Sequence, residues 1–173
     1  LARFAFDHAT IPPDWQDHCP PELRSSLSRL MSLCEEAARL AHAHHFITRL
    51  PDGYVSRVGD AGRCLSGGQK QRVSIARAIA REPKILILDD ALSAVDTKTE
   101  NAILNAMARI MKGRTSVIIS HRVSSAKLAD KVIMLDDGYV LEAGTHDDLM
   151  TRNGAYKELH DKQLQGESEE EVY

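Results

Sequence analysis

Cysteine, long apolar runs and charge of one sign are all scarce in this chain of 173 residues. Its three cysteines are an odd set without metal-ligand spacing, which indicates free thiols in a reducing compartment rather than a disulfide framework. No apolar run approaches the roughly 20 residues that a transmembrane helix needs. The formal net charge of -3 gives no general attraction to nucleic acid or anionic lipid. These absences argue against a disulfide scaffold, a membrane span and a basic nucleic-acid-binding domain.

The chain does contain alternating strand and helix patterns, which predict an α/β fold. An apolar fraction of 43% is sufficient for one domain with a core. Strands are predicted at Ile85–Asp89, Ser116–Ser120 and Lys131–Leu135, the last turning at Asp136-Asp137-Gly138 into the hairpin strand Tyr139–Leu141. The run Ile85–Leu88 is apolar without a break, which favours a strand covered on both faces. Helices are predicted from Pro21 to about His45, from Gln69 to Arg81, from a capping box at Thr97 and Glu100 to Gly113, and around Asp147 and Tyr156.

The strongest motif is a glycine-rich pentapeptide at the head of a helical stretch. It consists of Leu65, Ser66, Gly67, Gly68 and Gln69. Two adjacent glycines let backbone N–H groups converge on an anion, and the positive end of the helix dipole points the same way. The Ser66 hydroxyl adds a donor. The pattern therefore predicts a phosphate-contacting loop, against the simpler alternative of a glycine turn that only caps a helix.

Polar residues follow two of the predicted strands. Asp89 ends the first, where a carboxylate can hold Mg²⁺ directly or through water, and Asp90 comes next. His121 follows Ser120 at the end of the second strand and is a candidate phosphate sensor. Asp96 stands where a helix N-cap is expected, and capping alone would explain its presence.

Taken together, these motifs resemble the nucleotide-binding domain of ATP-binding-cassette (ABC) transporters of the exporter type. The resemblance identifies the pentapeptide as the signature motif, Asp89 as the Walker B carboxylate, residues 91–96 as the D-loop and His121 as the H-loop histidine. It implies a partial ABC ATPase (RecA-like) core with part of the ABC helical subdomain, and ATP and Mg²⁺ as cofactors. It also implies that the signature, with Asp96, contacts ATP held by a partner subunit.

The family's phosphate loop, G-x-x-x-x-G-K-[ST], is absent from the sequence. The most similar stretch, from Gly62 to Gly67, continues into Gly68-Gln69 where the motif requires lysine followed by serine or threonine. The chain is therefore expected to be the C-terminal portion of such a domain and to be inactive alone. Asp90 is a second departure, since active members usually carry glutamate there as the catalytic base. The shorter side chain predicts a weak hydrolytic site, as in the degenerate subunit of heterodimeric exporters.

The resemblance implies a second nucleotide-binding domain as partner, with a heterodimer favoured over a homodimer, and transmembrane domains, with no nucleic acid. It implies a position at the cytoplasmic face of the plasma (inner) membrane. Two alternatives stay open: a soluble ABC ATPase of DNA repair or translation, and a non-catalytic module that contributes only a signature face. A side chain at Gly68 is expected to block the γ-phosphate without disturbing folding, because the loop is expected to be exposed.

The predicted division of the chain follows the family's subdomains. Residues 1–20 are a poorly patterned segment, and residues 21–81 are the helical subdomain portion with the signature. Residues 82–164 are the C-terminal half of the ATPase core, and residues 165–173 are an acidic tail expected to be disordered. Residues 56–62 stand where exporters contact their coupling helices, but Arg57 and Ala61 depart from the usual residues.

Overall fold

The computed structural model describes residues 20–56, 58 and 65–170. Arg57 and Ala61, on which the expected coupling-helix contact depends, and the poorly patterned residues before 20 lie outside this part. The chain divides into two compact units at Val117/Ile118. The division at residue 81, which follows the family's subdomains, stays a prediction. Within the described residues, no helix is both long and apolar enough to span a bilayer.

The first unit begins with helices. Helix α1 spans Pro21–Leu40, and its first residue is a proline, whose missing N–H has no intrahelical acceptor to lose there. The helix is shorter than predicted because His42 takes a left-handed conformation (φ 52°), which a continuing helix does not allow. A short helix, α2, spans His44–Ile47, and a 3₁₀ turn spans Gly53–Val55. Helix α3 spans Gly67–Ala80 and packs against α1.

Strand and helix alternate after α3, and the division between the two units falls inside the second strand. Strand β1 spans Ile85–Asp89, helix α4 spans Thr97–Met111 and strand β2 spans Thr115–Ile119. The strands are hydrogen-bonded neighbours and start side by side, because the Thr115 N–H donates to the Lys84 carbonyl (3.2 Å). This is the arrangement of a parallel pair joined by a crossover helix. The α/β prediction is therefore confirmed, with β1 at its predicted bounds.

The core of the first unit lies between the helices and one face of β1. Its most buried side chains come from α1, α3, β1 and α4: Cys34, Ala37, Ile75, Ala76, Leu86, Ile103 and Met107. Cys34 is a free thiol whose pKa is raised by burial. The expectation that β1 is covered on both faces is wrong for the described chain, because Ile85 and Ile87 are each 62% exposed while Leu86 and Leu88 are buried.

The second unit contains a short helix, a hairpin and two further helices. Helix α5 spans Val123–Ala126, strands β3 and β4 span Val132–Asp136 and Tyr139–Gly144, and helices α6 and α7 span His146–Arg152 and Ala155–Glu170. Strands β3 and β4 pair antiparallel, and Asp137-Gly138 form the predicted turn with positive φ at both positions. Val123, Leu149 and Tyr156 form the buried centre of this unit. Helix α7 reaches Glu170, so it includes most of the tail that was expected to be disordered.

Candidate functional site

The signature motif LSGGQ (residues 65–69, called the glycine loop below) forms the start of helix α3. The Ser66 hydroxyl accepts from the Gln69 N–H (3.3 Å), and the Gln69 side-chain carbonyl accepts from the Ser66 N–H (3.0 Å). This reciprocal capping box fixes the entry into α3 and leaves Gly67 and Gly68 in its first turn, where N–H groups have no intrahelical acceptor. Leu65 is buried, so its side chain anchors the segment and only its backbone is available to a ligand. Ser66 is exposed.

Gly68 lies against the turn that follows β1. A Cβ atom built at Gly68 would lie 2.6 Å from the Ala94 carbonyl oxygen, closer than real Cβ atoms approach. At Gly67 the corresponding atom would meet the Ala94 Cβ at 3.4 Å, an ordinary contact. The expectation that a side chain at Gly68 leaves folding undisturbed is therefore wrong: the glycine is required by the chain's own backbone.

Gln71 joins the same two segments by hydrogen bonds. Its side-chain amide donates to the Ser93 hydroxyl (2.8 Å) and to the Asp90 carbonyl (3.2 Å), and its oxygen accepts from the Ala94 N–H (2.9 Å). The Ser93 hydroxyl also donates to the Asp90 carbonyl (3.1 Å). One side chain on α3 thus binds three residues of the turn after β1, and hydrogen bonds connect this turn to the helix that the glycine loop begins.

The two predicted carboxylates are exposed at the end of β1. Asp89 is the last strand residue, and Asp90 takes the left-handed conformation (φ 44°), which aspartate tolerates better than most residues. Because Gln71 and Ser93 both bind the Asp90 carbonyl, the backbone from which this carboxylate projects is fixed.

Arg72 links the glycine loop to the segment that follows α1. Its guanidinium donates to the Gly68 carbonyl (3.3 Å) and to the His42 carbonyl (3.0 Å), and lies 5.0 Å from the centre of the Phe46 ring. Phe46 and His42 belong to the segment after α1, so Arg72 connects the glycine loop to the helical part of the first unit. This contact set combines hydrogen bonding with cation–π attraction, which a lysine would not reproduce.

Asp96 is the N-cap of α4. Its carboxylate accepts from the Thr99 N–H (2.9 Å), so the predicted capping box of Thr97 and Glu100 is wrong: the cap begins one residue earlier. The hydrogen bonds from Thr99 lower the pKa of the Asp96 carboxyl, and the positive charge of Arg72 adds to this effect. The capping role is confirmed, while a contact with nucleotide stays a prediction.

His121 belongs to the second unit, in the loop between β2 and α5, and its side chain is exposed. The Gln163 side chain on α7 forms two hydrogen bonds with the backbone of this loop. It donates to the His121 carbonyl (2.7 Å) and accepts from the Val123 N–H (2.9 Å). The Arg122 N–H donates to the Ser120 hydroxyl (3.0 Å), which closes the turn locally. The histidine is thus presented by a loop whose backbone is held from both sides.

The first unit therefore brings together the glycine loop, Asp90 and the turn that leads to Asp96, while Asp89 stands one residue before Asp90 at the strand end. The sequence analysis assigned no role to Gln71 or Arg72, although both lie within three residues of the end of the glycine motif. No sequence signal pointed to Gln163, which is 42 residues from the loop that it holds.

Comparison with known proteins finds similarity to one family. A family model described as "ABC transporter" matches residues 14–93. The ABC multidrug transporter atrD of Emericella nidulans is 48% identical over 145 residues, which are 84% of this chain and 11% of that protein. An ATP-dependent lipid A-core flippase of Chromohalobacter salexigens is 49% identical over 131 residues, 76% of this chain and 23% of that protein.

Among solved structures, a bacterial Atm1-family ABC exporter with ATP bound is similar in fold. The TM-score is 0.72 at 44% sequence identity, over 77% of this chain and 24% of that chain. The chain thus spans less than a quarter of the length of each of these proteins. The predicted partial ABC ATPase fold is confirmed.

Proposed function

Because this chain belongs to the ABC transporter family, as part of its ATP-binding domain, we propose that it helps to couple ATP binding and hydrolysis to export across a membrane. The names of its relatives, a multidrug transporter and a lipid A-core flippase, support export. The fold match to an exporter with ATP bound supports a nucleotide-dependent role. The single observation that carries the mechanism is the Gln71 network, which ties the LSGGQ helix start to the Asp90 backbone.

The signature acts on ATP held by a partner subunit. Its donors are the first-turn N–H groups of α3, strengthened by the positive end of the helix dipole and accompanied by the exposed Ser66. In the head-to-tail dimer that the family resemblance implies, a second ATP-binding domain supplies this nucleotide. The 173 residues by themselves contain no phosphate loop, so they should hydrolyse no ATP alone.

The chain's own carboxylate site is weak. Aspartate is shorter than glutamate by one carbon–carbon bond, about 1.5 Å. The fixed carbonyl of Asp90 prevents the backbone from moving forward to compensate. Misplacement on the 1 Å scale costs about 10²-fold in rate, so this site turns over slowly. Such an asymmetry favours a heterodimer in which the partner's site carries most of the hydrolysis.

The donor chemistry at the strand end fits Mg²⁺. Asp89 offers one exposed carboxylate, and Mg²⁺ in ATPases is bound by one or two carboxylates together with phosphate oxygens and water. Held by Asp89, such an ion would neutralise the charge that develops on the phosphate oxygens. His121, presented by its held loop, contacts the γ-phosphate as a hydrogen-bond donor. Asp90 orients the attacking water.

Transmembrane domains are the remaining partners, and the ATP-binding domains lie at the cytoplasmic face of the membrane. The two relatives named for transport support the membrane association. What is transported depends on those domains.

Replacing His121 tests the proposal. In the full-length protein reconstituted in lipid vesicles, His121→Ala should reduce Mg·ATP hydrolysis at this subunit's own site, measured site-specifically, by at least about tenfold, because a positioned donor at the γ-phosphate is lost. His45→Ala is the matched control, since His45 is an exposed histidine outside the site. Equal hydrolysis rates for both variants would contradict the role of His121. If the full-length protein hydrolyses ATP but transports no compound across the vesicle membrane, the alternative of a soluble ABC ATPase of DNA repair or translation is favoured.

A further inference from the structure

The strongest unexplained feature of the second unit is the pair of hydrogen bonds by which the Gln163 side chain holds the loop that carries His121. The Gln163 side chain uses both ends of its amide, donating to the His121 carbonyl (2.7 Å) and accepting from the Val123 N–H (2.9 Å). These backbone groups lie on either side of Arg122. A primary amide that satisfies one donor and one acceptor two residues apart fixes the path of the backbone between them.

Besides Gln163, the Arg122 N–H bond to the Ser120 hydroxyl and the buried Val123 side chain help to hold the loop. Helix α5, which follows the loop, is only four residues long, which is too short to be stable without tertiary contacts. By contrast, α7 is anchored, because Tyr156 is 3% exposed in the buried cluster and Leu159 packs against that cluster. Gln163 follows Leu159 by four residues and therefore projects from the same face of α7.

We propose that Gln163 is a positioning residue for His121, so that docking of α7 sets the rate of ATP hydrolysis at this subunit's own site. The proposal rests on the function proposed above for His121. Gln163 itself touches no reacting atom. Its amide holds the main chain at His121 and Val123, and the orientation of the imidazole follows from that main chain. Separation of α7 from the unit would release the loop and slow hydrolysis without removing any group that contacts ATP.

The test uses the full-length protein and three variants. Gln163→Leu keeps the approximate size of the side chain and removes both hydrogen bonds. Gln163→Glu keeps the acceptor for the Val123 N–H and loses the donor to the His121 carbonyl. Gln165→Leu is the matched control, because Gln165 is an exposed glutamine two residues away on the same helix.

For Gln163→Leu we expect kcat for hydrolysis at this subunit's own site to fall by about tenfold or more. KM for ATP at that site should change by less than about twofold, since only the placement of a reacting-site group is altered. Gln163→Glu should also lower kcat, because its carboxylate faces the His121 carbonyl. Gln165→Leu should match the unmodified protein. Equal kcat for Gln163→Leu and Gln165→Leu would overturn the proposal.

A double variant separates positioning from a general loss of structure. If Gln163 acts through His121, Gln163→Leu should have no further effect on kcat in the His121→Ala background. A full additional loss in that background would show that Gln163 acts elsewhere and would overturn the proposal, while leaving the role of His121 intact.

A measurement without nucleotide distinguishes failure of the inference from failure of the proposed function. Hydrogen exchange at the Val123 amide should become about three- to tenfold faster in Gln163→Leu, as expected for the loss of one hydrogen bond. Unchanged exchange would overturn the inference whatever the ATPase result. Faster exchange together with an active His121→Ala variant would confirm the grip on the loop and contradict the function of His121, and with it the link between α7 and hydrolysis.

Discussion

Replacement of Gly68 by alanine is the most direct test of the contact between the signature and the turn after β1. The added Cβ would lie 2.6 Å from the Ala94 carbonyl oxygen. Real Cβ atoms essentially never approach another atom closer than 3.0 Å, so these two atoms must move apart by at least about 0.4 Å. The Ala94 peptide cannot move freely, since its N–H is bound by Gln71 (2.9 Å). Overpacking of this kind costs about 1–3 kcal/mol.

Gly67→Ala is the control, because it changes the neighbouring residue of the same helical turn where a Cβ meets only an ordinary 3.4 Å contact. Both substitutions gain about 0.4–1 kcal/mol from the reduced freedom of the unfolded chain, so this gain cancels between them. Gly68→Ala should therefore be about 1–3 kcal/mol less stable than Gly67→Ala. For a chain of this size that difference lowers the midpoint of thermal unfolding by roughly 2–12 °C.

The assay is thermal unfolding of the two variants side by side, followed by circular dichroism. Equal midpoints would refute the close packing of Gly68 on Ala94. The same result would restore the simpler view that the glycine exists only to admit phosphate.

Three further predictions address the carboxylates and the missing phosphate loop. Asp90→Glu should raise the turnover of its own site in the full-length protein by about tenfold or more, because the carboxylate reaches further. It should also lower the stability of the fold, because glutamate tolerates φ 44° less well than aspartate. An unchanged site-specific rate would contradict the argument from reach. Asp96→Ala should destabilise the chain by about 1 kcal/mol at pH 7 through loss of the N-cap, whereas Asp96→Asn keeps most of the cap. Since the folded-state pKa of Asp96 is lowered, the stabilisation that depends on its charge is present above about pH 4 and lost as the pH falls through that lowered pKa. Urea unfolding should therefore show that Asp96→Ala costs less stability in acid than at pH 7. A cost that does not change with pH would contradict the contribution of the Asp96 charge. Calorimetry should detect negligible Mg·ATP binding by the 173-residue chain alone, and micromolar affinity would contradict the need for a separate phosphate loop.

Elements that depend on local chemistry were predictable from the sequence. Strand β1 and the Asp137-Gly138 hairpin appear where apolar runs and turn residues indicated them. The motif order also identified the family, because the glycine loop, paired carboxylates and strand-end histidine each have a recognisable spacing.

Contacts between distant segments were not predictable. The Gln71 network spans about 20 residues, and the Gln163 grip spans about 40 residues. A glutamine side chain carries no periodic signal, and its partners are backbone groups, which every residue has. The left-handed conformation of Asp90 was likewise invisible, since aspartate is also common in ordinary turns.

The central claim, that the signature acts on the partner's ATP, is tested most directly at Ser66. Ser66→Asp and Ser66→Asn both preserve a good N-cap for α3, so the helix start is kept, and only the aspartate adds a negative charge facing the phosphate. The measurement is site-specific nucleotide trapping and hydrolysis in a mixed dimer that carries Ser66→Asp in this subunit alone. The account predicts that the partner's site loses hydrolysis while this subunit's own nucleotide affinity is unchanged, with Ser66→Asn close to the unmodified dimer. Full hydrolysis at the partner's site, combined with lost nucleotide binding in this subunit, would contradict it.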